Sequence, residues 1–255
     1  MNKKASLRRL TWTLLWLMVV LSFSVVCKKK MDEAKKHFDL GVQYESQQMV
    51  PDAIAEFRKA IQISPDYTDA LFQLGSLYHL TKAYSSAIEE YEKVLRINPN
   101  YPKIHTAIAN VHYERGIKAW TRAVRLNQWD FWEPDTLRQL PAKNKAELVK
   151  LIEVYLEKVK ADSTDAATFS NLSQACFVLA VDEYQKAVQA NPLDTTAQLF
   201  LGLSYSEQGY PYKAMARSEV LKNIDPRQAN VVIGTLKQKE EEKEYLGKLR
   251  KQAPR

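Results

Sequence analysis

Glycine and cysteine are scarce in this sequence, seven and two among 255 residues. Two cysteines, Cys27 and Cys176, cannot build a disulfide framework, and no Cys-x-x-Cys pair offers a zinc site. With so few glycines, scarce β-branched runs and abundant Ala, Leu, Glu, Lys and Gln, the composition favours helix throughout. Acidic residues are missing from the first 27 positions, which hold four basic ones. The rest carries 33 Lys+Arg against 30 Asp+Glu, a surplus of only +3 out of the total +7. The basic pI is therefore partly a property of the N-terminus and is no argument for nucleic acid. A Gly-rich phosphate loop, His-Glu-x-x-His and Gly-x-Ser-x-Gly are all lacking. No enzyme activity, metal or cofactor is expected.

Charge is also missing from Leu10 to Cys27, 18 residues bracketed by Arg8-Arg9 and Lys28-Lys29-Lys30. That length just spans a bilayer as a helix, and the same segment has the basic, apolar and small-residue order of a secretory signal. Three fates fit it: retention as an anchor, cleavage after Ser24, or lipidation of Cys27. The sequence Ser24-Val25-Val26-Cys27 resembles a lipobox loosely. In each case residues from Met31 onward are expected on the far side of a bacterial inner membrane, anchored there in the first and third.

What is present is a repeat. Ala53 to Tyr67, AIAEFRKAIQISPDY, returns 34 residues later as AIEEYEKVLRINPNY, Ala87 to Tyr101. Pro65 and Pro99 are 34 apart, as are Pro192 and Pro226. At fixed offsets before Pro65 stand Leu40, Gly41, Tyr44, Ala53, Phe57 and Ala60. Before Pro99 the same offsets give Leu74, Gly75, Tyr78, Ala87, Tyr91 and Val94. Before Pro226 they give Leu201, Gly202, Tyr205, Ala214, Ser218 and Leu221, in which Ser218 replaces an aromatic. This pattern resembles the tetratricopeptide repeat from about Ala34 to Pro226. The resemblance implies an all-α solenoid of hairpins, each a helix A and a helix B, with small residues at their close approach. One hairpin cannot bury its apolar stripe alone, so the units stack, and the sequence repeats because the packing environment repeats.

Two units depart from the pattern in the same way: five residues are missing after Gly116 and again after Ala180, where helix B should reverse. The apolar spacing of three and four runs on across both junctions. One continuous helix is therefore expected from Ala166 to Ala190, 25 residues and about 37 Å long. The same is expected from Lys103 to Asn127, although Gly116 costs on the order of 1 kcal/mol in a helix. The solenoid should be interrupted near both. The expected organisation is 1–30 signal or anchor, 31–128 N-terminal repeats, 129–165 a degenerate unit, 166–226 C-terminal repeats and 227–255 a capping helix with a charged tail.

The resemblance places a binding groove on the stacked A helices. In the first units its lining would include Phe38, Val42, Phe72, Ser76 and His79. Further on it would include Lys103, Asn110 and Tyr113, then Phe177, Leu199 and Leu203. The clamp that grips chaperone tails would need Lys, Arg and Asn, where Phe38, Val42, Gln73, Lys103 and Ala107 stand. Only Lys103 fits, so an apolar or mixed protein ligand is expected. Trp129, Phe131 and Trp132 form a second candidate surface, an aromatic anchor or a cover over exposed core. His105 and His112 share a helix face, but both sit at packing positions, as does Cys176. The implied function is a non-enzymatic, envelope-anchored protein-interaction scaffold. A narrower reading is an assembly or pilotin-like factor for a secretion, pilus or outer-membrane system, and a third is a helical-repeat enzyme using His105 and His112.

Overall fold

The computed structural model describes residues 3–126 and 144–252, and every element among them is a helix. The chain divides into two compact units, Met1–Pro99 and Asn100–Arg255.

The first unit holds α1 (Lys3–Ser46), α2 (Val50–Ile63), α3 (Thr68–Leu80) and α4 (Tyr84–Ile97). The C-terminal part of α1 pairs with α2, and α3 pairs with α4, as two hairpins. Each reversal uses a left-handed residue at the end of helix A, Gln48 at φ 61° and Lys82 at φ 63°. Behind it the chain closes with Met49 N–H donating to the Tyr44 carbonyl at 2.9 Å and Ala83 N–H to Tyr78 at 2.8 Å. Each helix B stops for a local reason. Ser64 and Asn98 precede proline, which disfavours helical backbone, and both are extended. Glycine is required where the hairpins close: a Cβ on Gly41 would lie 2.7 Å from the Phe57 ring, and one on Gly75 would lie 2.7 Å from Tyr91. Ala53, Phe57, Leu74 and Leu77 form the core of this unit.

The second unit holds α5 (Ile104–Leu126), α6 (Lys145–Ala161), α7 (Ala166–Ala190), α8 (Thr195–Glu207), α9 (Pro211–Ile224) and α10 (Pro226–Gln252). Both shortened units are single helices. Gly116 stands 34 residues after Lys82, at the position where the regular hairpins turn left-handed, yet it stays helical within α5. With the reversal gone, the two long helices pack antiparallel on each other. Asn110 meets Tyr184, and Gly116 meets Phe177 and Ser173.

Within the second unit this pairing joins the two shortened repeats to each other. The first half of α5 has helix A character and packs on the second half of α7, which has helix B character. Ala109 and Tyr184, counterparts of Gly75 and Tyr91, share one core with α8, α9 and α10. The second half of α5 and the first half of α7 pack on α6 around Ala123, Ile152, Leu172 and Cys176. A repeat is thus assembled from halves far apart in the chain, with a helical lobe inserted between them. The third repeat, expected with the N-terminal group, belongs to the second unit through this pairing.

α8 and α9 make a regular hairpin that turns at Gly209, φ 73°. Ser218 is small here because α10 fills the space: a Cβ on Gly202 would meet Val232 at 3.2 Å. α10 packs on α8 and α9. Among the described residues no helix is long and apolar enough to cross a membrane. Most side chains of Leu10–Cys27 lie outside those described.

Candidate partner-binding face

The repeat register puts Phe38 and Phe72, Val42 and Ser76, and Glu45 and His79 at matching positions on α1 and α3, hence on the same face of each helix. Phe38 is half-buried, its ring 5.6 Å from Phe57 and 5.1 Å from Tyr67. Phe72 repeats the contact on Tyr91 at 5.5 Å. Ser76 donates to the Phe72 carbonyl at 3.0 Å and shares a hydrogen bond with the Tyr91 hydroxyl at 3.1 Å. His79 lies 6.2 Å from the ring of Tyr84. Val42 is 38% exposed, and burial raises the pKa of the nearby Glu45 carboxyl. The face therefore combines half-buried aromatics with an open apolar position and a carboxyl and imidazole one turn away.

In the second unit Asn110 and Tyr113 are half-buried, like their counterparts Ser76 and His79, and also make internal contacts. Asn110 accepts a hydrogen bond from Tyr184 at 2.7 Å. Tyr113 is packed against Phe177 at 5.7 Å and Phe200 at 5.2 Å. Phe177, expected on the groove, is only 3% exposed and lies against Gly116. It is a core residue because α7 runs on without a turn and carries its A half into the α5 interface. Leu199 and Leu203 are half-buried against the unit's core. Lys103 is exposed at the start of α5 with φ 60°. Trp129, Phe131 and Trp132 lie outside the described residues. Cys27 is exposed on α1.

The histidines and Cys176 belong to packing and to a buried ion network. Glu183 is fully buried and accepts from Lys145, from Lys186 at 2.9 Å and from His105 at 2.7 Å, joining α5, α6 and α7. Burial alone would push its carboxyl up, but the three donors outweigh it and hold the group well below the usual carboxylate range. His112 is buried with Nδ1 lacking a partner. Burial, aided by Arg115, pushes it down to about 3, so it is neutral at physiological pH. Burial pushes the Cys176 thiol up to about 12. Among the described residues no three metal-ligating side chains are grouped.

The glutamate was missed in the sequence, yet it has a signal there. Glu56, Glu90 and Glu183 each stand nine residues before a proline and three before a lysine. Glu56 takes His37 and Lys59, both at 2.6 Å. Glu90 takes Lys93 at 2.8 Å, and with Leu71 where a histidine would be, its Oε2 is left without a partner.

Residues 41–82 and 75–116 match the family model described as TPR repeat. Residues 41–116 are tetratricopeptide repeats. The match to the tetratricopeptide model ends at Gly116, the last residue before the first five-residue gap. Similar solved structures include TTC0263 of Thermus thermophilus, at 14% identity over 80% of this chain and 98% of that one, with a TM-score of 0.37. PilW, described as a type IV pilus biogenesis factor, is 16% identical over 82% and 91%, with a TM-score of 0.34. YrrB, described as having an unusual peptide-binding site, is 16% identical over 78% and 90%, with a TM-score of 0.31. No curated protein matches the chain. Tetratricopeptide repeats are protein-interaction scaffolds.

Proposed function

We propose that this protein is a non-enzymatic scaffold of a bacterial envelope that holds an extended segment of a protein partner on the A-helix face of its first unit. One observation carries the reading. Val42 is 38% exposed among the half-buried Phe38, Phe72, Ser76 and His79, whereas Phe177, expected on the groove of the second unit, is only 3% exposed. An extended ligand would set apolar side chains on Val42 and the two phenylalanines and offer polar groups to Ser76, Glu45 and His79. The uncharged run Leu10–Cys27, bracketed by basic residues, would anchor the scaffold with its repeats outside the cytoplasm.

The test is recovery of the tagged full chain from crosslinked, detergent-solubilised envelope. Val42→Asp should lose the partner recovered with the parent chain, and Val154→Asp, at a site 49% exposed on α6, should keep it. Equal recovery by both variants would remove the face from the proposal. Palmitate labelling lost in Cys27→Ala would identify lipidation. An intact mass including Met1 would identify a retained anchor, and a soluble species beginning at Val25 would remove anchoring.

A further inference from the structure

Lys28, Lys29 and Lys30 lie in a single unbroken helix, α1, between the uncharged run Leu10–Cys27 and Ala34, the first fully buried among the described residues. All three are exposed, as are Val26 and Met31 beside them. Successive helical residues point about 100° apart, so three lysines in a row spread over about 200° of the rod, more than one side of it. A helix lying flat on a surface needs lysines on one side only. A helix leaving a bilayer upright meets headgroups all round. The charge is also confined to about one turn, because Asp32 and Glu33 follow after Met31, and only then Lys35 and Lys36.

We infer that Lys28, Lys29 and Lys30 form a collar that binds anionic lipid headgroups where α1 leaves the bilayer. The inference rests on the anchor reading proposed above, with the span retained. The uncharged run is about 27 Å long as a helix, close to the hydrocarbon thickness of about 30 Å, so the collar falls at the headgroups. A lysine near an anionic surface is attracted over about one Debye length, roughly 10 Å at 0.1 M salt, and its long stem lets the ammonium reach the phosphates. From Lys30 to Ala34 the rod rises about 6 Å, which holds the first repeat at the membrane surface. The ligand segment would then be captured close to the bilayer from which the scaffold rises.

The full chain reconstituted in phosphatidylcholine vesicles, with a trace of spin-labelled lipid, provides the test. Spin-labelled phosphatidylglycerol should associate with the protein at least twofold more than spin-labelled phosphatidylcholine. The preference should fall to near one in Lys28→Gln/Lys29→Gln/Lys30→Gln and in 1 M salt. Lys35→Gln/Lys36→Gln, about 10 Å further from the bilayer, should keep it. Equal association of the two lipids with a chain that floats with the vesicles in alkaline carbonate would overturn the collar and leave the anchor standing. A chain that fails to float would overturn both.

Discussion

His105 on α5 and Glu183 on α7, 78 residues apart, make the contact that His37 and Glu56 make across 19 residues, at 2.7 Å and 2.6 Å. The two histidines hold the same place in helix A and the two glutamates the same place in helix B. The equivalence shows that a repeat closed across α5 and α7 has the internal bonding of one closed by a turn. It also explains how two helices without turns still close a repeat within the second unit. Removing a hinge commonly forces an element to find its complement elsewhere. Here each long helix finds it in the other.

Replacing Glu183 tests how much of this assembly the ion network holds. Glu183→Gln should lower stability by about 2 kcal/mol, below the usual cost of breaking a buried pair because Lys145 and Lys186 still reach water. Glu56→Gln should cost less, since its carboxylate serves two helices rather than three. Denaturant titration of the full chain in detergent reads both. Because the folded Glu183 pKa is depressed, its stabilisation is present above the unfolded value near 4.5 and is lost as pH falls below it. The variant should therefore lose acid sensitivity in that range.

His112 acts over a higher range. The unfolded chain binds a proton near pH 6.5, and the native chain refuses it until about 3. Stability should fall on acidification from 6.5 downward, by up to about 1.4 kcal/mol per pH unit from this group. Tyr44 and Tyr78 fill the same register position, so Phe should fit there. His112→Phe also removes the buried Nδ1 that lacks a partner. It should be more stable than the parent at pH 5 and show a flatter stability profile between 6.5 and 5, measured by denaturant titration.

Glycine substitutions separate packing from helix propensity. Alanine for an exposed helical glycine stabilises by about 1 kcal/mol, and Gly234, with nothing within 4 Å of an added Cβ, should show that gain. Gly75→Ala should destabilise, because its Cβ would press on the buried Tyr91 ring at 2.7 Å. Gly116→Ala meets Phe177 at 3.0 Å and should also destabilise, with partial rescue by Phe177→Leu. Thermal melts of the three single variants and the double variant check the order.

Cys176 should be silent to thiol reagents at pH 8, because burial keeps it protonated and shielded. Cys27 is exposed and should react. One thiol titrating in the folded chain and two in denaturant is the expected count.

Much of the fold was legible in the sequence, for a physical reason. Tetratricopeptide spacing reports neighbours along the chain, so the hairpins at Gly41–Phe57 and Gly75–Tyr91 could be read directly. The missing turns and the unbroken apolar spacing likewise foretold α7 from Ala166 to Ala190 as one helix. The crossed pairing of α5 with α7 was hidden because aligning each unit with its neighbour never compares positions 78 apart. The histidine and glutamate registers carried that information. The face was half legible: Phe38 and Phe72 sit where the repeat puts them, whereas Phe177 is drawn inside by a pairing that local spacing does not encode.

The most direct test of the scaffold's binding face is photo-crosslinking in living cells. A photoreactive residue replaces Val42 on the open face of the first unit, or Val178, 40% exposed on α7, in the second. Val42 is expected to yield one discrete protein adduct that disappears when Phe72→Ala is added, while Val178 yields none. A Val178 adduct as strong as that at Val42, unaffected by Phe72→Ala, would contradict the assignment of ligand binding to the first unit.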